Sequence, residues 1–268
     1  RILHRAMPVL YLMLAFHAAL LAPRDYWAQP VGGLVAALLA AGVYGAIRSL
    51  LGDIGRSRVA TGNIIAIEHP ANEVTTVRCH LVRGWRGHQA GQFAFVTFDD
   101  KEGAHPFTIA SADHGDSTVS FQIKALGDYT KHLAERLQPG QTVRVEGPYG
   151  RFDIARRDPR ARQIWIAGGI GVTPFLAWLE SLQAKPEGAP TADLHYCTRD
   201  QAKDSFVPRL ESLCATLPGI RLHIHDARQG AILKAEALGA TKDAEIWFCG
   251  PSGLANALRN GIRTMGWK

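Results

Sequence analysis

The chain has 268 residues, about twice the length at which single domains cluster, so two domains or a domain with an appendage is the starting expectation. With 47% hydrophobic and 20% charged residues it fits neither a disordered, a collagenous nor a coiled-coil chain, and Cys79, Cys197, Cys214 and Cys249 form no C-x-x-C pair, which excludes zinc ribbons, thioredoxin-like motifs and cysteine-held iron–sulfur clusters. The formal charge of +6 suits an anionic partner, such as a phosphorylated cofactor or the inner face of a membrane, and is too modest and scattered for nucleic acid.

Charge is unevenly spread. Residues 1–52 carry only Arg1, Arg5, Arg24, Arg48 and Asp25 as charged side chains, and Ala6–Pro23 and Ala28–Ile47 are uncharged runs of 18 and 20 residues. A helix crosses a bilayer with about 17–25 apolar residues, so residues 1–52 are expected to form a transmembrane unit of two helices, about 6–23 and 28–51. A cleaved secretory signal does not account for the second run. Arg1 and Arg5 before the first run, and Arg48, Arg56 and Arg58 around the second, put both outer flanks in the cytoplasm by the positive-inside rule.

From residue 61 to about 146, short runs broken by turn residues (Asn63–Glu68, Val74–Val82, Gln92–Phe98, Pro106–Ala110, Val119–Lys124, Thr142–Val145) predict a six-stranded antiparallel barrel over residues 58–155. Tyr129–Leu137 has helical spacing and stops at Pro139-Gly140. After a charged linker at Ala155–Arg162, strands Ile164–Ala167, Leu194–Cys197, Arg221–His225 and Ile246–Cys249 alternate with helices Pro174–Gln183, Phe206–Ala215 and Gly253–Met265. That alternation predicts a parallel sheet over residues 162–268, with ligands beyond the carboxyl ends of its strands. The fold class is therefore α+β and multidomain: helical pair, barrel, then α/β sheet.

Several segments carry chemistry. Gly168-Gly169-Ile170-Gly171-Val172-Thr173-Pro174 ends a strand and opens a helix, where glycine backbone and unpaired amides can receive a pyrophosphate; the same turn can also be only a tight connection. Cys249-Gly250-Pro251 ends another strand on the same sheet edge. In the barrel, His105-Pro106-Phe107-Thr108 places an aromatic face beside a hydroxyl, suited to a flat ring system, although a core phenylalanine explains the segment equally well. Lys124 followed by Gly127-Asp128-Tyr129-Thr130 reads either as a phosphate cradle or as an ordinary helix cap with Asp128 as the capping residue.

The ordered set H-P-F-T, G-D-Y-T, G-P-Y-G, G-G-x-G-x-T-P and C-G-P, spread over residues 58–251, resembles the dehydrogenase portion of ferric reductases and NADPH oxidases, within the ferredoxin-NADP reductase superfamily. The resemblance implies an FAD-binding barrel followed by an NADPH- or NADH-binding domain. It implies that His105, Pro106, Phe107 and Thr108 hold the flavin, with Thr108 near its reactive nitrogen. Lys124, Gly127, Tyr129 and Thr130 would serve the FAD pyrophosphate. Gly147, Pro148, Tyr149 and Gly150 would close the barrel between the cofactors. Gly168, Gly169, Gly171, Thr173 and Pro174 would bind the second pyrophosphate, and Cys249, Gly250 and Pro251 would approach the nicotinamide. Thr108 and Cys249 are thus the expected catalytic pair, and the two should converge on one cleft. Arg199 after the second sheet strand is a candidate for a 2′-phosphate, or a solvated loop charge.

In that family a histidine pair on a membrane helix holds two haems; His4 and His17, about 20 Å apart along a helix, are the candidates, with Pro8 available for the kink that brings them to one side. One helix supplies a single histidine per haem, so haem b needs helices outside this sequence. The chain also stops before the aromatic residue that covers the flavin in the family, Trp267 being a poor substitute, so the nucleotide domain is expected to be truncated at its C-terminus. The whole implies an integral membrane oxidoreductase with a cytoplasmic dehydrogenase domain, passing hydride from NAD(P)H to FAD and single electrons through haem to ferric iron, dioxygen or another small-molecule or protein acceptor. The rival enzyme is a membrane-anchored flavin reductase without haem that donates to a partner protein; a flavin-binding sensor without turnover is the non-enzyme rival.

Overall fold

The computed structural model describes residues 2–69, 73–239 and 243–266. Its contacts divide it into two compact units, Arg1–Arg58 and Val59–Lys268. Trp267 lies outside the described residues.

The first unit is helical: α1 (Ile2–Leu21), the short α2 (Arg24–Trp27) and α3 (Pro30–Leu50). Small residues let α1 and α3 approach closely. At Gly42 a Cβ would sit 1.9 Å from the Tyr11 hydroxyl, which donates to the Leu39 carbonyl at 3.4 Å, and Ala15 and Ala46 are buried. Two helices are therefore present, but the two expected spans are not equal. Among the described residues only Pro30–Leu50 is long and apolar enough to cross a membrane; the apolar stretch of α1, Ala6–Leu21, is shorter. Pro23 ends α1 early and Arg5 interrupts it on the other side, leaving about 24 Å of apolar helix against a hydrocarbon core of about 30 Å.

In the second unit, β1 (Val59–Glu68), β2 (Val74–Arg83), β3 (Phe93–Thr97), β4 (His105–Thr108), β5 (Thr118–Lys124) and β6 (Thr142–Tyr149) form an antiparallel sheet in the order β4-β3-β6-β1-β2-β5. An antiparallel bridge between Ile109 and Phe121, beside a 2.8 Å bond from the Ala110 amide to the Ser120 carbonyl, joins the end strands and closes the barrel. The predicted helix between β5 and β6 is split at His132 into α4 (Asp128–Lys131) and α5 (Leu133–Arg136), whose Leu133 and the following Leu137 plug the barrel core. β6 runs past its expected end at Val145, through a cis Gly147-Pro148 bond, to Tyr149.

The parallel sheet follows: β7 (Arg162–Gly168), α6 (Thr173–Ala184), β8 (Ala192–Thr198), α7 (Phe206–Ala215), β9 (Ile220–Asp226), β10 (Ala244–Cys249) and α8 (Ser252–Thr264), with strand order β10-β7-β8-β9. The order reverses at β7, so the carboxyl ends of β7, β8 and β10 border a crevice. α6 and α7 cover one face over Trp165, Leu194 and Tyr196, and α8 covers Ile164 and Ile166 on the other.

Barrel and sheet share one core. Val74 and Ala90 from the barrel side belong to the same buried cluster as Trp165, Phe175 and Trp178. Trp178 Nε1 donates to the Ala90 carbonyl at 3.0 Å and its ring stacks on Phe152 at 4.8 Å. Gly91 is required there: its φ is +92°, and a Cβ would lie 2.0 Å from the Phe152 carbonyl.

Candidate functional site

The sheet edge opens into a cavity of about 1070 Å³, lined by Gly168–Gly171, by Arg199, Asp200 and Lys203 after β8, by His225 and Ile232 at and after β9, and by Cys249–Pro251. Glu73, Lys124 and Leu126 of the barrel complete its wall, so the cavity lies where barrel meets sheet. Its size and mixed lining suit a dinucleotide.

The two glycine turns are held backbone against backbone. A Cβ on Gly171 would lie 2.3 Å from the Cys249 carbonyl oxygen, and one on Gly168 would lie 2.7 Å from Pro251 Cδ. Close packing therefore accounts for these two glycines. Gly169 is different: its φ is +53° and nothing lies within 4 Å of a Cβ there, leaving its backbone open to the cavity. Thr173 and Pro174, expected as ligands, are buried at the start of α6, and the Thr173 hydroxyl donates to the Ile170 carbonyl at 3.1 Å. They hold the turn in shape rather than facing the cavity. Burial pushes the Cys249 thiol up, so it presents a neutral S–H.

On the barrel side, His105 stacks on Tyr129 at 4.0 Å between centroids, and Phe107 packs on Phe98 and the barrel core. The reading of Phe107 as a core side chain therefore describes its main contacts. Strand alternation puts Pro106 and Thr108 on the opposite face of β4. Thr108 pairs with Phe93 and is half-buried, and it is not among the residues lining the cavity that holds Cys249. Lys124 and Leu126 bring the barrel to that cavity instead.

Gly127, not Asp128, is the N-cap of α4. The Thr130 hydroxyl accepts from the Leu126 and Gly127 amides, both at 3.0 Å, so these donors are satisfied within the chain. Gly147-Pro148 lies in β6, Tyr149 donates to Glu146 at 2.7 Å, and Tyr149 packs with Phe93 and Phe95. A second cavity of about 540 Å³ lies at the outer side of Tyr129, with Phe98, Leu133, Arg136 and Arg144 in its wall.

The barrel fits FAD by its unspent polar atoms. His105 Nε2 and the Tyr129 hydroxyl are buried without a protein partner, and Gly127 has open space where a Cβ would stand. Burial pushes the Tyr129 phenol up to about 12, so it remains an O–H donor. Of the two histidines expected to hold haem, His17 is exposed on α1 and the side chain of His4 lies outside the described residues.

Reasoning from single strands missed the ionisable face of the sheet. Asp193 accepts from Arg162 and Arg221, and His223 and His195 follow along the strands to His225 at the cavity. Burial alone would raise the Asp193 carboxyl, but hydrogen bonds from Arg221, Arg162 and His223 outweigh it and hold it well below the usual range. Asp200 was missed too; it bridges to Arg228 at 2.5 Å at the cavity wall.

A barrel with open polar positions, joined to a parallel sheet whose glycine turns face one crevice, is an arrangement suited to FAD and a second dinucleotide. Residues 60–153 match the family of FAD-binding domains. The chain is 27% identical over 140 residues to a vanillate O-demethylase oxidoreductase of Pseudomonas putida, covering 52% of this chain and 42% of that protein. It is 25% identical over 170 residues to the ferredoxin–NAD(P)+ reductase component of the naphthalene 1,2-dioxygenase/salicylate 5-hydroxylase systems of a Ralstonia species, covering 63% and 50%. It thus spans about half or less of these curated relatives. Among solved structures, the flavohemoglobin of Malassezia yamatoensis with bound FAD and heme aligns with a TM-score of 0.69 at 16% identity, over 95% of this chain and 76% of that one. A ferredoxin NADP+ reductase from Neisseria gonorrhoeae with bound FAD and NADP aligns at 0.63 and 18%, over 78% and 92%. Those two likenesses establish the fold. Residues 60–153 thus match an FAD-binding domain, within a fold shared with these two structures.

Proposed function

We propose that this chain is the reductase portion of an electron-transfer system, oxidising NADPH or NADH and passing the electrons to a separate acceptor. FAD, when bound, supplies the conversion of one hydride into two single electrons. The single observation that carries the reading is the cavity shared by barrel and sheet, which puts Lys124 and Leu126 in the same wall as the glycine turns and Cys249. There the chain binds and orients. The open backbone at Gly169 receives phosphate, Lys124 adds a positive charge, and the neutral Cys249 thiol offers a small contact for the nicotinamide without competing as a base. His105 and Tyr129 hold the flavin chain through the two polar atoms they leave unspent. The relative named above as a ferredoxin–NAD(P)+ reductase component favours a protein acceptor. Anaerobic mixing of the FAD-loaded protein with NADPH and with NADH tests this: the flavin absorbance bleaches with at least one of them, and a flavin that stays oxidised with both overturns the reading.

One observation favours a lipid-embedded N-terminal unit. Met13, Leu14 and Phe16 of α1, and Leu34 and Leu38 of α3, are each more than half exposed. A membrane-bound protein resists carbonate extraction; release into the soluble fraction overturns the anchor. In the same membranes, haem absorbance that is lost in His17→Ala supports the transmembrane electron route, and flavin absorbance alone supports the simpler reductase.

A further inference from the structure

The face of the sheet beside α8 changes character from strand to strand. Register places Gly168, Cys197 and His225 side by side at the cavity edge, Ile166, His195 and His223 one step below, and Ile164, Asp193 and Arg221 below that. On β7 these positions are apolar under α8; on β8 and β9 most of them are ionisable. The side chains form a ladder. His223 Nε2 donates to Asp193 at 3.1 Å, the rings of His223 and His195 stack at 4.6 Å, and His195 Nδ1 lies 3.0 Å from His225 Nε2. His195 is only 4% exposed, so its hydrogen bond to His225 fixes a ring that stands in the cavity wall.

The glycine turns receive the phosphates and Cys249 marks the nicotinamide end, so the adenosine half of the ligand extends over the ends of β8 and β9. Resting on the proposed NAD(P)H site, we propose that His225, held by His195, contacts the ribose of the adenosine half and sets the balance between 2′-phosphorylated and 2′-hydroxyl dinucleotides. As a neutral ring it offers one hydrogen bond to either; as a cation it favours the phosphate.

The groups facing it leave the pH response to the histidines. On its own strand stand His223 and, next along, Asp226, whose carboxylate accepts from the Gln201 and Arg228 amides. From β8 come His195 and Cys197, whose thiol burial pushes up to about 11. In the turn after β8, Asp200 is bridged by Arg228, leaving Arg199 and Lys203 as cations in the wall, while Glu73 and Lys124 face from the barrel. Imidazole is the side chain that changes charge between about pH 5 and 8. Burial and the neighbouring His223 hold His225 below its ordinary value. A bound phosphate draws that value back up, so affinity rises as pH falls through the bound-state value and levels off below the free-state one.

The test is calorimetric titration of the FAD-loaded protein with adenosine 2′,5′-bisphosphate and with 5′-ADP, from about pH 8 to about pH 6. The expected preference of the wild type for the bisphosphate grows as pH falls. His225→Asn weakens the bisphosphate about tenfold, leaves 5′-ADP nearly unchanged and loses the excess pH response; the 2′-phosphate's own titration is common to both proteins and cancels. His225→Lys restores tight bisphosphate binding without that response, and His195→Gln reduces it. A His225→Asn protein whose preference follows the wild type at every pH overturns this inference alone. A wild type that binds neither fragment overturns the cavity's assignment to a dinucleotide, and this inference with it.

Discussion

The two nucleotide-binding halves are built from different material. On the sheet side backbone meets backbone, with Gly168 and Gly171 pressed against Cys249–Pro251 so closely that no Cβ fits. On the barrel side side chains meet side chains: His105 lies on Tyr129, Phe107 on Phe98, and Thr130 spends its hydroxyl on the α4 amides. A backbone contact has no rotamer through which to yield, whereas a side-chain contact has several. Substitutions should therefore act as a step on the sheet side and as a slope on the barrel side.

The largest effect is expected at Gly171→Ala, whose new methyl would meet the Cys249 carbonyl at 2.3 Å. Stopped-flow reduction by NAD(P)H should slow by about 100-fold or more, and denaturant unfolding should show a loss of about 3 kcal/mol. Gly169→Ala, with open space but a φ of +53°, should cost only about 1 kcal/mol. Equal losses at both glycines would break the comparison. Next is Trp178→Phe, which strands the buried Ala90 carbonyl and should cost about 2 kcal/mol in the same unfolding experiment. On the barrel side Thr130→Val uncaps α4 for about 1 kcal/mol; FAD should dissociate faster while the KM for NAD(P)H stays unchanged.

The smallest effect is a pH term. Burial, then the neighbouring His223 and His225, push His195 down to about 4. The unfolded chain takes up that proton first, so the contribution is complete above about pH 6.5 and is lost as pH falls toward about 4. Thermal melts should accordingly show His195→Asn losing less stability than the wild type between about pH 7 and 5, by about 1 kcal/mol after solvent screening. Below about pH 4 the Asp193 carboxyl, depressed in the folded protein, adds a further loss in both proteins.

Most of the fold was legible because it is written in local period. All ten strands and the sheet-domain helices fall within a few residues of their predicted limits, since alternation and 3.6-residue spacing need no partner to be seen. The exceptions depend on tertiary context. The sixth strand reads as ending at Val145, yet β3 pairs with β6 as far as Tyr149 and carries the strand through Gly147-Pro148. The motif around Thr173 named residues that matter without showing that their side chains turn inward. Thr108 reads as half of a pair with Cys249, whereas the barrel residues that line the cavity holding Cys249 are Glu73, Lys124 and Leu126. The histidine ladder was hidden because His195 and His223 belong to different strands, and only the register between β8 and β9 stacks them.

The junction at Trp178 has a bearing on motion. Because Val74, Ala90, Phe152 and Trp178 are packed as one interior, and Gly91 leaves no gap at the Phe152 carbonyl, the two lobes cannot swing apart like the leaves of a door. In the proposed reductase the spacing between a donor on one side and an acceptor on the other would consequently be fixed when the chain folds, with no hinge between the lobes needed to bring them together.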